Sequence, residues 1–129
     1  MDAYPSQCLL FLNYIYEVTA LKKEDKMIFD YEINGMKYSV YLVENIDGKE
    51  ENTIGETDYE NQIIRIKRGK DNVMLRTLKH ELTHTWLYEY GHYQHEKEFT
   101  NEDVCEIVAC INDFINKQID RWEKSVKFN

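Results

Sequence analysis

The segment that decides the fold runs from Leu78 to Gly91 and reads LKHELTHTWLYEYG. Apolar residues in and just before it recur at spacings of three and four, the period of a helix with one face in a core. They are Leu75, Leu78, Leu82 and Trp86. No glycine or proline interrupts the run, Asp71 or Asn72 can cap its start, and Gly91 can close its end. The sequence therefore predicts one long helix on which the rest of the chain packs.

A second side of this helix carries the pattern HExxH. His80 and His84 lie one helical turn apart, so their imidazoles can hold one metal ion together. Glu81 lies about 100° further round, from where its carboxylate can act on a water at the metal without being a ligand. HExxH is the signature of zinc metallopeptidases, although two solvated histidines can produce the same letters by chance. We interpret the pattern as a metal site.

The composition predicts one globular domain, residues 1–129. The chain is 43% hydrophobic and 13% aromatic, which suffices for a core without disulfide support. Its formal net charge of -8 disfavours nucleic acid and anionic membranes as partners. The cysteines form no CxxC pair, and the N-terminus has neither a basic leader nor an apolar run of membrane-spanning length. We therefore expect a cytoplasmic protein in which Cys105 and Cys110 are small core residues.

Six further elements are predicted around the central helix. Alternating apolar residues indicate strands, and Asn34-Gly35 favours a tight hairpin between the first two, because such a turn needs positive φ at both positions. The elements are a helix over Ser6–Ala20, strands over Met27–Ile33, Lys37–Val43, Thr53–Asp58 and Gln62–Lys67, and a helix over Asn101–Lys124. The inward strand positions are Met27, Phe29, Tyr31, Ile33, Tyr38, Val40, Leu42, Ile64 and Ile66. We predict an α+β fold with an N-terminal helix, an antiparallel-rich sheet of about four strands, and two further helices.

The last helix is predicted to bury one long apolar stripe. That stripe consists of Val104, Ile107, Val108, Ile111, Ile115 and Trp122. Glu102, Glu106 and Ala109 lie on a different side, with Cys105 next to them, and small residues there would allow a close approach to the HExxH helix. If that side instead faces solvent, the two glutamates are ordinary surface carboxylates.

The strands that precede the HExxH helix could place a sheet edge beside the metal. An exposed edge strand can pair with an extended peptide and hold its scissile bond over the ion. An ordinary four-stranded sheet without a peptide groove is equally compatible with the pattern.

A catalytic zinc ion usually takes three protein ligands and a water, so HExxH needs a third ligand from elsewhere. The candidates by residue type are His92, His95, Glu102, Asp103 and Glu106. The metzincin pattern HExxHxxGxxH requires glycine and histidine where this chain has Leu87 and Tyr90. That arrangement is therefore excluded.

The segment NEDVCE, which begins at Asn101, resembles the NExxSD segment of gluzincins. In gluzincins this Glu is the third ligand, and the acid four residues later supports a ligand histidine. Together with GETDYENQIIRI and TLKHELTH, it makes residues Thr53–Ile111 similar to the small gluzincin-like metallopeptidases of the ImmA/IrrE type, including zincins of bacterial phages and mobile elements. The resemblance implies a small zincin-like domain.

The resemblance also implies a ligand set for zinc. His80 and His84 would be joined by Glu102, and Glu106 would orient a ligand imidazole from outside the coordination sphere. Cysteine and glutamate replace the Ser and Asp of NExxSD, so Glu106 remains open as the third ligand. His92 or His95 could also fill this role, in the manner of SprT-like proteins.

The sequence thus predicts a zinc-dependent metalloendopeptidase. Zinc would lower the pKa of water toward about 7 and polarise the substrate carbonyl, and Glu81 would act as the general base. The resemblance implies a narrow protein substrate such as a transcriptional regulator. The alternatives are a catalytically inactive zincin-fold binding or regulatory module and a metal-free interaction domain. Possible oxyanion stabilisers, among which the spacing selects none, are Tyr88, Tyr90, His92, Tyr93 and His95.

Overall fold

A computed structural model describes residues 25–91 and 98–127. The elements are β1 (Lys26–Ile33), β2 (Met36–Val43), β3 (Gly55–Asp58), β4 (Ile63–Lys67), α1 (Asp71–Glu89) and α2 (Asn101–Lys127). The strands form one sheet in the order β1-β2-β4-β3. β1–β2 and β3–β4 are antiparallel pairs, whereas the central β2–β4 pair is parallel. The predicted α+β class is confirmed. The sheet is mixed instead of antiparallel throughout, because β4 of the second hairpin runs parallel to β2.

The first hairpin confirms the predicted turn and corrects one strand position. Asn34 and Gly35 have φ values of 49° and 77°, the positive angles that a two-residue turn of this kind needs. The pairing register shifts between Met27 and Phe29. This irregularity breaks the alternation of the strand, so the side chain of Met27 is 47% exposed and Ile28 is buried instead. The prediction that Met27 faces inward was therefore wrong.

The core lies between one face of the sheet and the two helices. Its fully buried members include Tyr38, Val40, Ile64, Ile66, Leu78 and Leu82. These residues were predicted to face inward, and the apolar stripe of α1 packs against the sheet as expected. The start of α1 differs from the prediction, because Lys70 occupies the N-cap position and provides no side-chain hydrogen bond. Its end agrees, since Gly91 follows the helix with φ at 77°.

Only the second half of α2 is packed into the core. Ile111, Ile119 and Trp122 are buried, whereas Val104 and Val108 are 49% and 54% exposed. The 27 residues of α2 span about 40 Å, whereas the eight-residue strands β1 and β2 span about 26 Å. The helix is therefore longer than the sheet on which it packs.

The first half of α2 therefore contradicts the predicted packing. The stripe of Val104 and Val108 is not covered by the sheet, and Ala109 is exposed instead of packed against α1. Cys105 and Cys110, predicted as core residues, are free exposed thiols.

Two further features predicted from the sequence are an N-terminal helix and the lack of a membrane-spanning segment. The predicted helix over Ser6–Ala20 lies outside the described residues. Neither of the described helices combines the length and the apolar character that crossing a bilayer requires.

Candidate metal centre

The two histidines of α1 converge as the sequence predicted. The Nε2 atoms of His80 and His84 are 3.1 Å apart, and their rings meet edge to face with centroids 4.7 Å apart. Two nitrogen ligands of one tetrahedral zinc ion, each bonded at 2.0–2.1 Å, would be about 3.3 Å apart. The observed separation fits a shared metal. It also fits an N–H···N hydrogen bond between the two imidazoles.

Glu81 completes a group that could hold a metal ion. One atom from each of His80, Glu81 and His84 lies within 4.8 Å of the other two. His80 is exposed, His84 is half-buried, and the side chain of Glu81 is buried. The hydroxyl of Thr57 in β3 donates a hydrogen bond of 3.1 Å to Oε1 of Glu81. Two imidazoles beside a buried, oriented carboxylate form a donor set suited to a divalent transition metal.

Gly55 allows β3 to approach α1 this closely. A Cβ atom at this position would lie 3.3 Å from Cγ of Glu81 and would overlap with Cγ2 of Thr77. A glycine therefore sets the distance between the strand and the helix. Because side chains alternate along a strand, Gly55 and Thr57 both face α1.

Sequence reasoning did not find Gly55 or Thr57 as site residues. The segment GETD that contains them was predicted as a strand, but the face that it turns to α1 depends on its pairing with β4. The one local signal was a glycine inside a strand, which often marks a close approach of another element.

The buried side of α1 is fixed to the sheet by two tyrosine hydroxyls. Tyr31 donates a 3.0 Å hydrogen bond to the hydroxyl of Thr85, which in turn donates to the carbonyl of Leu82 at 2.8 Å. Tyr38 donates to the carboxylate of Glu89 at 2.7 Å. These bonds hold the helix that carries the histidines at a defined position over the sheet.

The environment of both hydroxyls favours the neutral phenol. Burial raises the pKa of Tyr31 above its usual value near 10, and the negative charge of Glu89 acts in the same direction. Burial also raises the pKa of Tyr38, and its hydrogen bond to Glu89 raises it further. In the folded protein both side chains therefore keep their protons at a pH where an unfolded tyrosine loses its own.

We expect this difference to destabilise the protein in alkaline solution. Below pH about 10 both tyrosines are neutral in the folded and unfolded chains, so they do not make the free energy of unfolding depend on pH. Above that pH the unfolded chain releases protons that the folded chain retains, and the free energy of unfolding falls. In Tyr31→Phe this fall should be shallower by up to about 1.4 kcal/mol per pH unit, the value for one proton. Urea unfolding between pH 8 and 11 measures the slope.

Tyr90→Phe serves as the matched control for that measurement. Tyr90 is 46% exposed at the end of α1, so Tyr90→Phe makes the same chemical change on a side chain in contact with solvent. Equal slopes in Tyr31→Phe and the wild type would contradict the interpretation.

The predicted third ligands lie apart from the cluster or outside the description. Glu102 and Glu106 are exposed in the first two turns of α2 and are not members of the His80 group. Thr100 and Asp103 form a capping box at the start of the same helix. The hydroxyl of Thr100 accepts a hydrogen bond from the backbone N–H of Asp103, and the carboxylate of Asp103 accepts one from the backbone N–H of Thr100. His92 and His95 lie outside the described residues. The structure thus brings together His80, Glu81 and His84, and the third ligand remains a prediction.

A cleft opens beside the cluster, between α1 and the segment that leads into β3. We call it the Arg76 cleft; its volume is about 490 Å³. Its lining residues are Asn52, Thr53, Ile54, Gly55, Asn72, Val73, Arg76, Thr77, His80 and Glu81. In the sheet formed by the described strands β3 lies at an edge, so no strand of residues 25–91 and 98–127 pairs with one side of its backbone. The candidate metal centre therefore adjoins both a cleft and a sheet edge.

Comparisons of the chain with known protein families, curated proteins and solved structures found no match.

Proposed function

We propose that the protein is a zinc-dependent metallopeptidase with a small zincin-like domain. The observation that carries the proposal is the convergence of two Nε2 atoms 3.1 Å apart beside the buried carboxylate of Glu81. A purely structural metal site has no use for a general base, whereas the buried carboxylate of Glu81 is oriented by a hydrogen bond from Thr57 on a neighbouring strand. The oriented carboxylate therefore favours chemistry over structure.

In this proposal His80 and His84 hold zinc, and Glu102 is the third ligand. The role of Glu102 rests on the resemblance of NEDVCE to the gluzincin segment, since its side chain lies outside the cluster. Glu106, one turn later on α2, would orient a ligand imidazole. When bound, zinc supplies a Lewis acid that lowers the pKa of water to about 7 and polarises a carbonyl oxygen.

The chain's own residues supply proton transfer and substrate alignment. Glu81 takes a proton from the attacking water and delivers it to the amine that leaves when the C–N bond breaks. Thr57 holds the carboxylate in place through the hydrogen bond to Oε1. The free edge of β3 can pair with an extended peptide and align its carbonyl with the cluster. These roles support hydrolysis of a peptide bond in a protein substrate.

The resemblance suggests a narrow substrate, such as a transcriptional regulator in the cytoplasm, and a phage or mobile-element context. A second candidate function is a zincin-fold binding or regulatory module without peptidase activity. One observation favours it, because the 3.1 Å separation also suits a hydrogen bond between His80 and His84 with no metal present.

Metal content tests the proposal and separates the two candidates. Purified protein incubated with zinc and then dialysed should contain nearly one zinc per chain by elemental analysis. His84→Ala removes one imidazole and Glu102→Ala removes the third ligand, so both should lose most of the bound zinc. Glu123→Ala, an exposed glutamate near the far end of α2, is the matched control and should retain zinc.

The result also identifies the third ligand. If zinc is lost in His84→Ala but retained in Glu102→Ala, then the candidates for the third ligand are His92, His95, Asp103 and Glu106. A wild-type protein that takes up no zinc would overturn the peptidase proposal and leave the binding module.

A further inference from the structure

The Arg76 cleft contains a cation, the guanidinium of Arg76. Arg76 is exposed, and among the described residues it is the one lysine or arginine that lines the cleft. Among residues 25–91 and 98–127, no ion pair or hydrogen bond engages its guanidinium. It lies one helical turn before His80, so it projects on the same side of α1 as the metal cluster.

The walls beside Arg76 are suited to the aliphatic part of a side chain. Ile54 and Val73 line the cleft and are 47% and 38% exposed, which leaves apolar surface open on both the strand side and the helix side. Glu81 is the one acid among the described residues that lines the cleft, and its buried carboxylate accepts a hydrogen bond from the hydroxyl of Thr57. The cleft therefore combines exposed apolar surface with a guanidinium that has no partner among residues 25–91 and 98–127.

The backbone position of Arg76 has a fixed offset from that of Glu81 along α1. It precedes Glu81 by five residues, which corresponds to about 7.5 Å along the helix axis. An extended peptide advances about 3.3 Å per residue, so this distance equals about two peptide residues. A peptide aligned along β3 with its scissile bond at Glu81 would place a side chain near Arg76 within two residues of that bond.

We propose that the Arg76 cleft binds a glutamate or aspartate side chain of the substrate, within two residues of the bond that is cut. The proposal rests on the peptidase function and names its substrate class. The carboxylate pairs with the guanidinium, which can donate two parallel hydrogen bonds to it, and the methylene groups pack on Ile54 and Val73. Arg76 is thus a specificity-determining residue, distinct from the residues that hold metal or move protons.

The test uses zinc-loaded full-length protein and a pool of decapeptides randomised at four central positions. Cleavage sites identified by mass spectrometry should show Glu or Asp within two residues of the cut about tenfold more often than Gln or Asn. Arg76→Glu should reverse this preference toward Lys and Arg at the same position. Lys79→Glu is the matched control, because it makes the same charge change on the same helix at an exposed residue that does not line the cleft. It should keep the acidic preference.

A binding measurement keeps the two proposals separate. Fluorescein-labelled forms of two peptide pools, one containing a central Glu and the other Gln, are titrated against Glu81→Gln protein. The Glu pool should bind more tightly than the Gln pool. This preference should be lost in Glu81→Gln/Arg76→Glu and kept in Glu81→Gln/Lys79→Glu. That result supports acid binding in the cleft even if the wild type cuts no peptide and the peptidase proposal fails. Equal binding of the two pools, or cleavage with an acidic preference that survives Arg76→Glu, overturns it.

Discussion

Replacing Glu81 by glutamine should reduce peptide hydrolysis by about 10²–10⁴-fold, the usual contribution of a positioned general base. Glutamine keeps the size of the side chain and can still accept a hydrogen bond from Thr57, but it cannot take a proton. The histidines are unchanged, so zinc content should remain near that of the wild type. Cleavage is measured on the decapeptide pool at saturating enzyme, and zinc is measured on the same sample.

Thr57→Val is the companion variant for Glu81. It removes the hydroxyl that donates to Oε1 while keeping a β-branched side chain in β3. We expect a smaller loss of rate, since the carboxylate remains but is less well oriented. Full hydrolysis in Glu81→Gln with zinc bound would show that another group acts as the base, and the proposed mechanism would fail.

Replacing Leu82 by alanine should lower the free energy of unfolding by about 3–5 kcal/mol. Leu82 is fully buried on the core side of α1, between the histidines of HExxH in sequence but opposite to them in space. Truncation removes transfer free energy and leaves a cavity that the surrounding sheet cannot fill. Urea unfolding measures the loss.

Val104→Ala is the control for Leu82→Ala, because Val104 is an apolar helix residue that is 49% exposed. Its truncation should change stability by only about 0.5 kcal/mol. If Leu82→Ala is equally mild, then the described packing of α1 on the sheet is incorrect. Zinc content of folded Leu82→Ala should be normal, since the substitution leaves the ligands in place.

Local signals explain which parts of the fold could be predicted. The apolar period of α1 and the Asn34-Gly35 turn depend on residues a few positions apart, and both predictions are confirmed. The exposed first half of α2 could not be predicted, because a stripe of valines marks a face but does not say whether another element covers it. The prediction that Met27 faces inward failed for a similar reason, because the irregularity in β1 depends on its pairing with β2.

In the candidate site, too, the residues that depend on local sequence could be predicted and those that depend on distant pairing could not. His80, Glu81 and His84 belong to one helix, so their convergence follows from the helical period alone. Thr57 and Gly55 come from a strand whose orientation depends on pairing with β4, which the sequence does not specify. The third ligand is harder still, because its identity depends on how α2 lies relative to α1 and on a segment outside the described residues.

The parallel pairing at the centre of the sheet also bears on the order of folding. Each hairpin closes a short loop, so β1–β2 and β3–β4 can form early and independently. The pairing of β2 with β4 joins Ser39 to Ile63 and must close a much longer loop, at a larger entropic cost. α1 follows β4 directly and packs on β3 and β4, so Thr57 can reach Glu81 before that step. We therefore expect the carboxylate of Glu81 to be oriented early, with the second hairpin. The position of α1 over the whole sheet is fixed later, when Tyr31 and Tyr38 of the first hairpin bond to it.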